Sequence, residues 1–367
     1  MRYTEIAIVG GGPAGLAAAL NASKLGARVV LIDRNDYLGG QLIKQTHRFF
    51  GSKQQRASER GIDIAGELAS QVRTNQHINV MTGATALGFY EDGVLALEQH
   101  NKIITVKAER IIIATGGAEK TLLFPNNDLP GVYGAGAVQT LVNVFGVKPG
   151  KKVLMVGAGN IGVIVSYQLL QAGVEVAAII EAGPGIGAYW VHAAKVVRAG
   201  VPIYTRHTIK AAHGAKEVTG ATIVQLDENW QQMPGTGKEI DADVICLSVG
   251  LTPLTEILWQ AGCKMVYVPE LSGNVPLRSD NLETSVPGIY VAGDVAGIEE
   301  ASAAMMEGAL AGLNAAASLG YTLDGLEADR QNVLQQLEGL RSGPVGEKIR
   351  KGLAQAICQR SDRYARS

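Results

Sequence analysis

Two short runs of glycine carry most of the chemistry legible in this sequence. The first, Gly10-Gly11-Gly12-Pro13-Ala14-Gly15, follows the apolar run Glu5 to Val9 and precedes the Ala/Leu-rich stretch Leu16 to Leu25. A strand, a tight turn and a helix in that order aim backbone N–H groups and a positive helix end at a pyrophosphate. Gly10 permits the turn, Gly12 lets the backbone approach the phosphates, and Gly15 lets helix and strand pack closely. The next strand, Val29 to Asp33, ends in a carboxylate roughly 20 residues on, where an acid accepts hydrogen bonds from ribose hydroxyls. The second run, Gly157-Ala158-Gly159-Asn160-Ile161-Gly162, repeats the arrangement after Lys152 to Val156, with Glu181 as its acid. A carboxylate there favours a free 2′-hydroxyl and repels a 2′-phosphate. No Arg or Lys lies between Ala182 and Val191, so the second site is expected to take NAD(H). Its candidate ligands are Gly157, Gly159, Asn160, Ile161, Glu181 and Gly250.

Other chemistries are absent. The three cysteines, Cys246, Cys263 and Cys358, include no Cys-x-x-Cys pair. A redox disulfide, a zinc knuckle or a four-cysteine iron–sulfur cluster within the chain is therefore not expected. No Ser/His/Asp set or metal-ligand spacing stands out. The formal charge of -1 offers no electrostatic case for nucleic acid or an anionic membrane. No apolar run reaches the ~18 residues of a membrane span, and no secretory signal opens the chain, so the expected location is the cytoplasm.

These sites need strands and helices to hold them. The sequence contains 46 glycines, well above the usual ~7%, and they cluster after apolar strands rather than in a low-complexity tract. The strands Arg110 to Gly116 and Val244 to Gly250 each end in glycine, and Gly288 to Ala292 runs into Gly293-Asp294. The Gly-turn unit thus occurs twice, an internal repeat. The expected fold is α/β, with two Rossmann-like dinucleotide-binding domains, the second inserted in the first. The expected boundaries are 1–118 with 251–325 for the first domain, 119–250 for the second, and a helical tail at 326–367. The Pro-containing segments Asn127 to Gly131 and Thr252-Pro253 are read as crossovers between domains.

The motif order resembles the pyridine-nucleotide-dependent flavoproteins, the class of thioredoxin reductase. The resemblance covers about residues 4–320 and rests on Gly10 to Gly15, Gly39-Gly40-Gln41, Ala114-Thr115-Gly116, Gly157 to Gly162 and Gly288 to Asp294. It implies FAD in the first site. Asp294 would lie on a ribityl hydroxyl, Ala114-Thr115-Gly116 would pass beside the pyrophosphate, and Gly40 and Gln41 would lie near the flavin. The helix starting at Glu300-Ala301 would aim its N-terminus at the pyrimidine edge, where reduced flavin carries negative charge. The resemblance adds Pro13, Ala14, Arg34 and Ala86 to the FAD ligands. Three departures accompany it: the redox cysteines are missing, Glu299-Glu300 stands where thioredoxin reductases carry Arg-Gln, and Ile164 replaces the glutamate of many second sites.

The run Gly39 to Gly51, which contains Gln45-Thr46-His47-Arg48, is similar to flavin subunits of heteromeric amine and amino-acid dehydrogenases. These are the alpha-type subunits of sarcosine oxidase, opine oxidase, hydrogen cyanide synthase and dye-linked proline dehydrogenase. The similarity implies an oxidoreductase subunit moving hydride or electrons between NAD(H) and a partner, which would be a second flavoprotein, a ferredoxin-like iron–sulfur subunit, or both. A stand-alone NADH-dependent reductase of a small acceptor and a non-catalytic nucleotide-binding assembly subunit remain the alternatives, and a homo-oligomer stays open. The catalytic candidates are His47, near the flavin loop, and Glu300, expected to be protonated or shielded beside a flavin. The basic stretch His47, Arg48, Lys53, Arg56, Arg60 is either a docking face or a solvated one. Trp190 and His192 either flank a nicotinamide or pack in the core.

Overall fold

The run Arg2–Val9 becomes β1, longer than its apolar half, because Arg2, Tyr3 and Thr4 pair in register with Val106, Lys107 and Ala108. In this computed structural model residues 1–90, 92–344 and 346–357 are described. The chain divides into two units, Met1–Ala118 with Leu251–Ser367, and Glu119–Gly250, each α/β.

In the first unit β1 is followed by α1 (Pro13–Lys24), β2 (Val29–Ile32), α2 (Gly61–Thr74), β3 (Ile78–Met81), β4 (Ala84–Phe89), β5 (Val94–Gln99) and β6 (Lys102–Ile113). Helix α1 starts at Pro13 rather than Leu16, since proline suits a first helical turn whose N–H would be unpaired. The sheet runs β3-β2-β1-β6-β5-β4. Strands β1, β2, β3 and β6 are parallel, while β4 and β5 form an antiparallel edge. Both faces of β2 and of the Ile6–Val9 half of β1 are buried, which explains their unbroken apolar runs. Strand β7 (Gly117–Glu119) leads out of the unit.

The second unit contains β8 (Val132–Gly134), α3 (Ala135–Asn143), β9 (Lys152–Val156), α4 (Asn160–Gln171), β10 (Glu175–Glu181), α5 (Trp190–Arg198) and β11 (Ile203–Thr205). Three antiparallel strands follow, β12 (His207–His213), β13 (Gly220–Gln225) and β14 (Lys238–Ile240), and then β15 (Val244–Leu247). The parallel sheet runs β11-β10-β9-β15-β8. The segment Asn127 to Gly131 is not a crossover. It lies inside this unit, where Asn126 Nδ2 donates to the Ala212 carbonyl and Val218 N–H to that of Pro130.

The chain re-enters the first unit through β16 (Leu251–Pro253), then α6 (Glu256–Gln260), β17 (Met265–Val268), β18 (Gly273–Pro276), β19 (Ile289–Val291), α7 (Ala301–Ala317), α8 (Leu326–Leu340) and α9 (Glu347–Gln355). Strand β19 joins the large sheet parallel to β6. Helices α1 and α7 meet through alanines, Ala14, Ala18 and Ala22 against Ala304, Ala311 and Ala315 among others, all in one buried core. The tail does not stand apart from this unit. Leu337 of α8 is 4% exposed in the same core, a burial worth about 1.5–3 kcal/mol. Ala356 packs with Val268, Leu271 and Val275.

Candidate functional site

The first Gly-rich turn is locked by three backbone constraints. Gly10 has φ +112, and a Cβ there would lie 2.1 Å from the Ala114 carbonyl oxygen. A Cβ on Gly15 would lie 1.7 Å from the Gly10 oxygen, so only glycine lets α1 start so close to β1. Gly12 differs: φ is -80, and its Cβ would meet only the Gly40 Cα, at 3.8 Å. The space in front of Gly12 is open, and a phosphate could approach this backbone.

The acid is held by the turn itself. Asp33, 8% exposed, accepts from Gly11 N–H at 2.6 Å through Oδ2 and from Asn35 N–H at 2.8 Å through Oδ1. Oδ1 also accepts from Asn35 Nδ2 at 3.1 Å, so Oδ2 is the oxygen that keeps a lone pair for a ribose hydroxyl. Gly39 N–H donates to the Gly11 carbonyl at 2.8 Å, which folds the Gly39–Gly40 segment onto the turn. Gln41 is exposed just beyond it, at the start of a short 3-10 helix, Gly40–Lys44.

The fold brings most first-site candidates together. Gly10 abuts Ala114, Gly12 abuts Gly40, and a Cβ on Gly293 would reach the Ala14 methyl at 2.9 Å. Thr115 Oγ1 donates to the Leu254 carbonyl at 2.7 Å, and a Cβ on Gly117, beside Gly116, would meet Asp294 Cβ at 3.6 Å. Ala84 N–H donates to the Asp33 carbonyl, so β4 starts beside the acid with Ala86 further along it. Arg34 is exposed. Glu300 is an exposed N-cap residue whose carbonyl accepts the Ala304 N–H, and Ala301 opens α7.

The carboxylate that the fold shelters here is Glu299, not Glu300. Arg341 grips it through Nε at 3.0 Å and Nη2 at 2.6 Å. Its own N–H donates to Asp294 Oδ1 at 3.3 Å. Burial pushes the Asp294 carboxyl up to about 6, against the pull of the Glu299 N–H, and the Glu307 and Glu299 charges add to the rise. An acid with a raised native pKa favours the fold only while protonated. That contribution is full below its ordinary 3.8 and is lost as pH rises through about 6. Asp294→Asn should therefore stabilise the flavin-free protein at pH 7.5 by about 1–2 kcal/mol, a value reduced because Asp294 keeps some accessible surface. At pH 4 the two proteins should unfold together. Urea titrations at both pH values measure this, and equal stability at pH 7.5 would refute it.

His47 is half-buried and stacks on Phe49 with ring centroids 5.8 Å apart. Of the basic stretch, Arg56 is engaged by Glu67 and Glu59, and Arg48 donates to the Ser58 carbonyl. Arg56 is thus not a free docking charge.

The second turn copies the first. Gly157 has φ +111 with the Ser248 carbonyl oxygen 2.2 Å from its would-be Cβ, and a Cβ on Gly162 would lie 2.1 Å from the Gly157 oxygen. The strand stops at Leu247, short of Gly250, although Ser248 N–H still donates to the Val156 carbonyl at 2.7 Å. A Cβ on Gly159 meets nothing within 4 Å. Glu181 accepts from Ala158 N–H and Gly183 N–H, both at 2.8 Å, as Asp33 does in the first turn. Ala188 N–H donates to the Ala158 carbonyl, and Asn160 Oδ1 accepts from Tyr189 N–H. Ile161 is partly exposed in the first turn of α4. Spacing along the chain misses Arg206, whose N–H donates to the Gly183 carbonyl and so sets its backbone beside the Glu181 loop. His192 is buried, which lowers its pKa, whereas Trp190 is 76% exposed.

Cys246 and Cys263 are buried thiols, one in each unit, and burial pushes the Cys246 thiol up. Cys358 lies outside the described residues. Among the described residues no three His, Cys, Asp or Glu side chains could hold a metal, and no helix is long and apolar enough to cross a membrane.

Two parallel-sheet units, each with a Gly-rich turn and a turn-held acid, define a two-dinucleotide fold. Residues 4–308 match the family model described as pyridine nucleotide-disulphide oxidoreductase, and the chain belongs to that family. It is an oxidoreductase, and its family's cofactors are FAD and a pyridine nucleotide. The match stops before Arg341. The sarcosine oxidase alpha subunit of Rhizobium meliloti (strain 1021) is 28% identical over 321 residues, covering 84% of this chain and 30% of that protein. From Agrobacterium tumefaciens (strain Ach5), an opine oxidase subunit is 29% identical over 338 residues, 86% of this chain and 66% of that one. The chain thus spans from about a third to two thirds of these relatives. L-proline dehydrogenase from P. horikoshii superposes with TM-score 0.70 at 25% identity, over 90% of this chain and 59% of that one. Thioredoxin reductase of T. acidophilum gives 0.72 at 24% identity, over 87% and 99%, a likeness of fold.

Proposed function

We propose that this chain is the relay subunit of a heteromeric amine, amino-acid or hydroxy-acid dehydrogenase. It passes hydride or electrons between NAD(H) and a partner redox protein, either a second flavoprotein or a ferredoxin-like iron–sulfur subunit. The observation that carries this reading is the duplicated cradle. Gly12 and Gly159 are open to a phosphate, and Asp33 and Glu181 are each oriented by the N–H of their own turn. The subunit names of the relatives support the assembly, and the lack of a cysteine pair in the sequence supports an external acceptor.

FAD, when bound, supplies the two-electron carrier; the chain supplies position and electrostatics. Gly10 to Gly15 and Ala114 to Gly116 hold the pyrophosphate, Asp33 the ribose, and Gly40, Gln41 and Asp294 the ribityl end. The α7 N-terminus at Glu300-Ala301 would offer its positive dipole end to the pyrimidine edge of the bound flavin. Gly157 to Ile161 and Glu181 hold NAD(H).

Anaerobic mixing of the FAD-loaded protein with NADH should bleach the flavin's visible absorbance within the mixing time. NADPH should act at least about tenfold more slowly, since Glu181 disfavours a 2′-phosphate. Faster bleaching by NADPH would overturn the reading of Glu181 as the ribose-holding acid. No bleaching by either, with or without a co-purified partner, sinks the relay reading.

A further inference from the structure

Five charged side chains converge behind the Gly293–Asp294 turn. Glu307 sits mid-way along α7, with its side chain 3% exposed. Its Oε1 accepts from Arg278 Nη2 at 2.9 Å and from Arg341 Nη2 at 2.6 Å. Its Oε2 accepts from Gly293 N–H at 2.9 Å. Arg341 spans Glu307 and Glu299, and the Glu299 N–H reaches Asp294 Oδ1. Two lines of hydrogen bonds therefore run from one guanidinium to the two residues of a single turn.

Arg341 is itself braced. It ends α8, whose Leu337 is anchored in the core. Arg350 of α9 donates to the carbonyls of Arg341 and Gly343. Arg278 is tied to the same arm, since its N–H donates to the Ala356 carbonyl. Arg341 and the Arg350 and Ala356 contacts that brace the cluster thus come from a segment beyond the family match, whereas Arg278, Glu299 and Glu307 lie within it.

We propose that Arg341 is a positioning residue for the flavin. From the C-terminal arm it fixes the Gly293–Asp294 turn through Glu307 and Glu299, and so sets how tightly FAD is held and how easily it is reduced. The proposal rests on the reading that this turn faces FAD. Three carboxylates, Asp294, Glu299 and Glu307, face two guanidiniums, and Arg278 touches only Glu307 among them. Without Arg341, Glu299 loses the guanidinium that grips it, and the negative field behind the flavin grows. A purely packing role would be filled as well by apolar side chains, because buried ion pairs seldom add net stability.

The test titrates apoprotein with FAD and measures the midpoint potential of the loaded protein, for wild type, Arg341→Met, Arg341→Lys and Arg341→Met/Glu299→Gln. Arg341→Met should bind FAD about tenfold more weakly. Its potential should fall by about 30 mV, the equivalent of a tenfold change in preference between oxidised and reduced flavin. Arg341→Lys should fall between it and wild type. The double variant, which removes one charge of each sign, should recover most of both losses. If folded Arg341→Met or Arg341→Lys matches wild type in affinity and potential, or the double variant recovers neither, the proposal is overturned. If wild type itself takes up no FAD, the site reading has failed and this inference falls with it.

Discussion

Gly12→Ala should leave the protein folded and weaken FAD binding by about 100-fold or more, roughly 3 kcal/mol. The two halves of this expectation come from different distances. In the folded chain an added Cβ meets only the Gly40 Cα at 3.8 Å, an ordinary contact, and φ of -80 suits any residue. Gly10 and Gly15 offer no such clean test, because a Cβ on either would collide with a carbonyl oxygen near 2 Å and damage the turn itself. The methyl on Gly12 would instead occupy the space where pyrophosphate oxygens meet the turn, and it would push them off the α1 N-terminus. Gly159→Ala should do the same to NADH, leaving FAD content and melting temperature unchanged. Comparing FAD content, NADH affinity and thermal midpoint in both variants separates the sites. Full FAD content in Gly12→Ala would show that the first turn does not carry the pyrophosphate.

What could be read from the sequence was local. A strand, a Gly-rich turn, a helix and an acid roughly 20 residues on lie within one βαβ unit, so their spacing survives folding unchanged. The convergence of Gly40, Ala114 and Gly293 on the first turn depends on sheet order, and only likeness to other flavoproteins suggested it. Arg206 was invisible for a related reason. It reaches the Glu181 loop because β11 pairs with β10, a neighbour that spacing along the chain does not reveal. The Arg341 cluster was missed differently. An arginine in a charged, helical tail reads as a solvated residue, and nothing local distinguishes Arg341 from Arg330 or Arg350. One signal was present. Glu307 is the only charged residue between Ala301 and Ala317, in a helix otherwise made of small and apolar side chains. A carboxylate so placed must be buried or functional, and if buried it must find cations.

That logic gives the largest stability effect expected here. Glu307→Ala should destabilise the protein by about 3–5 kcal/mol, because it strands Arg278 in the interior, leaves Arg341 with Glu299 alone, and frees the Gly293 N–H. Burial works to raise the Glu307 carboxyl, yet the Arg278 and Arg341 guanidiniums outweigh it and hold the group well below the usual carboxylate range. An acid with a depressed native pKa contributes stability above its ordinary 4.5 and loses it as pH falls toward the native value. The penalty of Glu307→Ala should therefore be largest at neutral pH and shrink in acid. This is opposite in sign to Asp294→Asn, a change expected to stabilise the flavin-free protein at neutral pH. Glu307→Gln should cost less, since an amide keeps an acceptor and some hydrogen bonds while giving up the charge. Urea unfolding at pH 7.5 and pH 4 measures each value. A Glu307→Ala loss under about 1 kcal/mol at pH 7.5, or one that grows in acid, would mean that the two arginines find other partners or water, and that the turn is not held through this carboxylate.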